Sequence, residues 1–341
     1  MFTALYTATT LFSCLAGHTW AEFTANDQNL FVYFSQSSGR NSSLDNLCNS
    51  AAIDVVILGF VRSFTGTAGY PTIDFGSSNC NETRRQDEAV APGLAVCTKL
   101  GQQVKRCQKM GKRVFLSIGG SSSNTSFNGG NAGRNEAKEA AKSMWNLFGG
   151  GTDSPLLRPF GQDVVIDGYD IDHEQGSSEN YDVFISRLRS LANTGAKPTY
   201  ISTAPLCKLA GPDSTRATLA LVDFVFIRFY NSASCAMGTP GFCSSLQQWY
   251  RDIIPSPHLA FPKVLLGGLS FDNGNSGYVP AERFRDAICV AKKPGFMCFW
   301  NADKFGGVML WDGTRGVANM VNEAGHGIDY LTYVKNVLVE T

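Results

Sequence analysis

The chain has 341 residues, 43% of them hydrophobic and 17% charged, and its 29 basic residues balance 29 acidic ones. That is enough apolar sequence for a large core, in one barrel-sized domain or two smaller ones, and too little charge for a disordered chain. No run of like charge appears, which excludes the electrostatic footprint of a nucleic-acid or anionic-membrane binder and favours a neutral partner.

Residues 1–21, MFTALYTATTLFSCLAGHTWA, are a short apolar stretch followed by small residues. They read as a secretory signal cut near Ala21, leaving a mature domain over 22–341; a disordered N-terminus is the alternative, because no Lys or Arg precedes Arg40. The apolar part is too short to span a bilayer. Ten cysteines without a CxxC pair favour disulfides and an oxidising compartment over zinc. Sequons at Asn41, Asn81 and Asn124 are candidate glycosylation sites and agree with a secreted, extracellular or cell-wall location. No cofactor or metal is implied.

Near-continuous apolar runs of strand length recur at 29–35, 53–60, 113–119, 163–172, 199–205, 224–230, 263–270 and 306–312. Runs apolar on both faces read as parallel strands covered on both sides. Between them lie helix-like stretches at 88–111, 135–149, 179–195 and 281–293. Ser177 or Ser178 is placed to cap the third and Gly195 to end it. This alternation predicts a single-domain (β/α)₈ barrel with its function on loops at the strands' C-terminal ends, and a doubly wound open sheet is the other architecture it allows.

The fourth run ends DGYDIDHE, four acids in eight residues where acids are disfavoured. Strand side chains alternate, so Asp170, Asp172 and Glu174 share one face, the interior of a barrel, while Tyr169, Ile171 and His173 take the other. Stacked carboxyls in a poorly solvated space cannot all ionise cheaply, and at least one is pushed up, which is how a general acid is made. Glu174, at the strand's end, is the expected proton donor. A solvated acidic loop or a calcium site is the competing reading, but the alternating spacing and the missing EF-hand pattern speak against it. Asp167, of opposite parity, reads as structural, and His173 as a buried histidine rather than a proton carrier.

DGYDIDHE resembles the DxxDxDxE signature of glycoside hydrolase family 18, and RVFLSIGG, through Ser117, Gly119 and Gly120, its SxGG motif. Together with YFSQ, APLC, RFYN, NSGYVP and GGVMLW in order, the resemblance covers nearly the whole mature chain and is nearest to plant-type class III chitinases. It implies hydrolysis of β-1,4-linked N-acetylglucosamine polymers, with chitin or chito-oligosaccharide as substrate and a monomeric enzyme. It further implies retaining, substrate-assisted catalysis, in which the sugar's own acetamido oxygen attacks the anomeric carbon.

Carried over by the resemblance, Glu174 is general acid and then base, Asp172 orients the acetamide, Asp170 holds Asp172 from below, and Tyr230 hydrogen-bonds the acetamido oxygen. Trp311 floors the sugar, and Gln36, Phe60, Gly119 and Gly120 complete the expected substrate-binding set. The resemblance also implies disulfides Cys48–Cys107, Cys80–Cys97 and Cys207–Cys235. Cys289 and Cys298 are expected to bond each other, leaving Cys243 as the odd thiol or as a competitor for Cys207.

Two departures stand out. Arg228 replaces the family's usual glutamine on the face of Tyr230, where a cation favours ionised carboxyls and lowers their pKa. His173 and Ile171 stand where aliphatic and aromatic residues are usual, on the outward face. Against the chitinase stand an inactive lectin or inhibitor on the same barrel, since folds host members without catalysis, and an endo-β-N-acetylglucosaminidase acting on N-glycans, which shares the acidic strand. Side activity on peptidoglycan stays open.

Overall fold

The apolar runs become the staves of a closed cylinder. The computed structural model describes residues 26–34, 43–66, 68–76, 80, 91–152, 158–209, 216–253, 262–274, 277–292 and 302–341. Its strands are β1 (Leu30–Phe34), β2 (Val55–Ser63), β3 (Thr72–Ile73), β4 (Arg113–Gly119), β5 (Gly168–Asp172), β6 (Tyr200–Thr203), β7 (Phe224–Arg228), β8 (Lys263–Leu269) and β9 (Phe305–Trp311). The main outer helices are α1 (Leu44–Cys48), α2 (Thr98–Lys109), α3 (Gly130–Phe148), α4 (Tyr181–Ala192), α5 (Arg216–Leu219), α6 (Phe242–Asp252) and α7 (Ala281–Lys292). After β9 come α8 (Gly313–Ala318), a hairpin of β10 (Met320–Glu323) and β11 (His326–Asp329), and α9 (Tyr330–Glu340).

All but β3 of the first nine strands pair in parallel, and β1 bonds both β2 and β9, so eight staves close on themselves. Closure rules out the open doubly wound sheet: the chain is a (β/α)₈ barrel. The short β3 runs antiparallel to the end of β2. Inside, Phe31 packs its ring 5.0 Å from Phe226, 5.2 Å from Phe224 and 5.9 Å from Phe115. Burying such a ring contributes roughly 1.5–3 kcal/mol. The aromatic plug fills the barrel's lower half with buried apolar side chains.

The N-terminal rim explains Asp167. Three strands are each preceded by an aspartate that grips the neighbouring stave with both its amide and its carboxylate. Asp54 N–H donates to Leu30 O at 3.0 Å while its Oδ2 accepts from Leu30 N at 2.7 Å. Asp167 does the same with Val114, at 2.8 and 2.9 Å, and Asp223 with Ile201, at 2.7 and 2.8 Å. Lys335, Lys197 and Arg189 respectively neutralise the three. Buried backbone donors and acceptors are thereby satisfied where the sheet ladder begins.

Some boundaries differ from the sequence reading. The fourth apolar run becomes strand only from Gly168, because the carbonyl of Val165 bonds the side chains of Gln108 and Lys197, and Ile166 N–H bonds Phe148 O, instead of a neighbouring stave. Helix α2 starts at Thr98 rather than in the high 80s; Pro92 and Gly93, the latter at φ +79°, precede it, and residues 81–90 lie outside the described set. Neither Ser177 nor Ser178 caps α4. Asn180 does so in the left-handed conformation (φ 66°), its side chain bonding Asn128 O, and the helix ends at Ala192 with Asn193 as its C-cap, before Gly195.

Candidate active site

The C-terminal rim is assembled layer by layer from inward-pointing positions. In register on β4 and β5, Ser117 lies opposite Asp170 and Gly119 opposite Asp172. Asp170 is completely buried. Its Oδ2 accepts from Tyr33 Oη at 2.6 Å and Ser117 Oγ at 2.6 Å, and its Oδ1 from Ser202 Oγ at 2.8 Å. Burial pushes its carboxyl above the usual range, and the three hydroxyls pull the other way.

One layer higher, Asp172 is 4% exposed. Burial drives its carboxyl well up; Arg228 opposes this, while Glu174 and Asp170, and a hydrogen bond shared with Glu174, add to it. Glu174 follows at the mouth, its side chain 23% exposed. Arg228, anchored by its amide to Pro205 O at 2.8 Å, places Nη1 2.5 Å from Glu174 Oε2 and 3.5 Å from Asp172 Oδ1. Burial opposes its charge, but Asp172 and Glu174 more than restore it, so its proton is held above the ordinary range. Arg228 therefore points into the barrel at the carboxyls. Its pull does not bring Asp172 below the usual range, because desolvation is the larger effect.

Tyr230 is 5% exposed; burial raises its phenol, and Arg228, Asp172, Glu174 and Asp170 all act on it. Trp311 ends β9, stacked on Phe60 with ring centroids 5.9 Å apart and planes 21° apart, and tilted against Tyr33 at 5.4 Å. These rings wall the mouth beside the acids. The peptides Gly59–Phe60 and Trp311–Asp312 are cis.

The two glycines are required by contact. A Cβ on Gly119 (φ +120°) would lie 2.0 Å from Asp172 O, and one on Gly120 (φ +87°) would lie 3.0 Å from the Phe60 ring. Only glycine lets β4 lie this close to β5 in that conformation. Gly120 N–H then fixes Asp172 O at 2.8 Å.

Glu174, Asp172, Asp170, Tyr230, Trp311, Phe60, Gly119 and Gly120 thus gather at one end of the barrel. Gln36, Asn41 and Asn81 lie outside the described residues. Asn124 is exposed at the edge of the rim, its amide bonding Arg62 O. His173 is buried on the outer face against Tyr181, ring centroids 4.5 Å apart. Tyr33 and Ser202 are missed in the sequence reading, and Ser117 figures there only as a motif letter. For Tyr33 and Ser117 the signal is a lone hydroxyl at inward parity in its strand; Ser202, in the hydroxyl-rich β6, carries no such signal.

Disulfides join Cys48–Cys107, Cys80–Cys97 and Cys207–Cys235. The remaining assignment needs correction: Cys289 is a free thiol, and Cys243 is disulfide-bonded, with its partner outside the described residues, as is Cys298. Cys289 sits within α7, whose buried face is made by Phe284, Ala287 and Ile288, so its position is fixed by helix packing rather than by a bridge. Among the described residues no helix is long and apolar enough to cross a membrane.

A parallel barrel whose carboxyls climb one stave to its C-terminal rim, beside an aromatic wall, defines a glycoside hydrolase. The chain belongs to the Glycosyl hydrolases family 18, whose pattern its residues 29–259 match. It is 32% identical over 301 residues to Endochitinase 3 of Metarhizium anisopliae, covering 87% of this chain and 96% of that one. Among solved structures it resembles the ICChI chitinase of Ipomoea carnea (25% identity, TM-score 0.69, 91% of this chain and 99% of that one). It also resembles a xylanase and alpha-amylase inhibitor protein, XAIP-II, of Scadoxus multiflorus (25% identity, TM-score 0.65, 92% and 98%).

Proposed function

We propose that this protein is a secreted endochitinase that cuts β-1,4 bonds between N-acetylglucosamine units with retention. The observation that carries the reading is the ascent of Asp170, Asp172 and Glu174 up the barrel's inner face, from a hydroxyl-lined floor to the mouth, with Tyr230 and the Trp311–Phe60 wall beside them. Similarity to fungal endochitinases supports the substrate class.

In this mechanism Trp311 and Phe60 hold the sugar whose anomeric carbon reacts. Asp172 and Tyr230 turn its acetamido oxygen toward that carbon. Glu174 gives its proton to the glycosidic oxygen as the C1–O bond breaks, and the acetamido oxygen bonds C1 to form an oxazolinium ion, so no enzyme nucleophile is needed. Asp172, ionised at this stage and supported from below by Asp170, balances the developing charge. Water then attacks C1, gives a proton to Glu174 and reopens the ring, restoring the N-acetyl group.

Secretion is part of the proposal: residues 1–21 act as the signal and the barrel from 22 onward as the catalytic domain, with three disulfides among the described residues suited to an oxidising compartment.

The decisive assay is product-anomer analysis on chitotetraose, with Glu174→Gln as control. The β-anomer should form first, and the variant should keep less than about a hundredth of the rate while still binding oligosaccharide, the size of effect expected for losing a general acid. The contact of Arg228 with Glu174 favours one second reading, a sugar-binding protein with weak or no catalysis. Binding without turnover by the unaltered protein would establish that reading in place of the first.

A further inference from the structure

We propose that Arg228 is a positioning residue that ties Glu174 to the inner face of β7 and so sets the pH range in which the enzyme works. The inference rests on the reading of Glu174 as proton donor. The geometry is specific: one guanidinium nitrogen touches Glu174 Oε2 at 2.5 Å and faces Asp172 Oδ1 at 3.5 Å, from a side chain only 5% exposed.

A guanidinium stays charged throughout the working range. A cation in contact with a carboxyl favours its ionised form, and the effect is weakly screened where water is excluded. General-acid catalysis needs the opposite, a proton on Glu174 when substrate arrives. Asp172 and Glu174 interact directly, so a cation that touches one and faces the other acts on both. Arg228 acts on that pair from one side.

Other titratable groups face the same space. Among the described residues they are Asp170 from β5 below, Tyr33 from β1, Tyr230 two residues further along β7, and Tyr181 from α4, whose phenol feels the charge of Asp172. None of these is a second cation. The inner faces of β4 and β6 near the pair bring hydroxyls, Ser117 and Ser202, and those of β8 and β9 bring Leu269 and Met309. Arg228 is thus the group that biases the pair toward losing its proton, while burial biases Asp172 toward keeping one.

The test is kcat/KM against pH on chitotetraose for the full-length protein, Arg228→Gln and Arg228→Lys. The Gln variant should move the basic limb upward by about one to three pH units, the range by which an opposite charge at contact distance displaces a carboxyl. The Lys variant, which restores the charge, should stay close to the unaltered protein. A Gln profile that coincides with the unaltered one overturns the proposal, and so does an equal fall in kcat for both variants with no movement of the limb.

A second measurement does not require turnover. With ¹³C-carboxyl-labelled glutamate, the resonance that disappears in Glu174→Gln should titrate at lower pH in the unaltered protein than in Arg228→Gln, and coincidence of the two again overturns the proposal. Should the Gln variant not fold, Arg228→Met is read in its place. Failure of the functional reading looks different: full activity in Glu174→Gln, whatever the titration shows.

Discussion

Three hydroxyl groups, from Tyr33, Ser117 and Ser202, hold Asp170 in a fully buried site, and removing them tests how the floor of the active site is kept charged. A hydrogen bond to a charged group contributes about 1.5–3 kcal/mol. Tyr33→Phe, Ser117→Ala and Ser202→Ala should therefore each destabilise the fold by about that amount at pH 7. Their sum is about 4.5–9 kcal/mol, but the triple variant should lose less. A carboxylate stripped of donors can take a proton instead, which for an ordinary aspartate at pH 7 costs only about 4 kcal/mol. Burial, which already raises Asp170, makes protonation easier still.

The pH dependence follows from the sign. Losing donors raises the folded-state pKa further, and a carboxyl raised on folding costs stability above its unfolded value, a cost that disappears as pH falls below it. Each single-variant loss should shrink at acid pH toward the roughly 0.5–1.5 kcal/mol of a neutral hydrogen bond. Urea denaturation at pH 7 and at pH 4 measures both quantities. Strict additivity in the triple variant, or losses independent of pH, would refute the reasoning.

Asp172→Asn should abolish turnover yet stabilise the protein: burial raises Asp172, so its ionisation weakens the fold as pH rises through the carboxylate range. The variant's thermal midpoint should exceed that of the unaltered protein at pH 7, and the gap should close in acid. Gly119→Ala sets a methyl 2.0 Å from Asp172 O at φ +120°, so overpacking and backbone strain should together cost about 2–6 kcal/mol. Activity should fall with it, because β4 must move away from β5; native-like stability and kcat would contradict the contact. Replacing both Cys48 and Cys107 by Ala releases a link across 59 residues, with an expected loss of about 4 kcal/mol in denaturant unfolding.

Much of this site could be read in one dimension because a strand has a period of two. Once DGYDIDHE is recognised as strand, parity alone sends Asp170, Asp172 and Glu174 inward and His173 outward. The same rule put Arg228 beside Tyr230. What parity cannot give is distance. That Arg228 reaches Glu174 at 2.5 Å and only faces Asp172 at 3.5 Å depends on how β7 is staggered against β5 across an intervening stave.

Boundaries were the weaker part, since a strand ends where its backbone partners end. Val165 and Ile166 are as apolar as the residues after them, but they bond side chains and the end of α3. The thiols show the same limit. Cys243 and Cys289 are indistinguishable as letters, and only packing decides that one is bridged and the other free.

The sequence by itself determined the alternation of strand and helix and the side of the sheet on which each acid falls. These are local properties, set by side-chain periodicity and allowed backbone angles. Tertiary structure alone decided closure of the sheet and the gathering of Tyr33, Ser117 and Ser202 around Asp170. It also decided the balance between burial and the Arg228 charge at Asp172. Those outcomes depend on residues far apart in the chain meeting in a space that excludes water, and desolvation is a property of the enclosure.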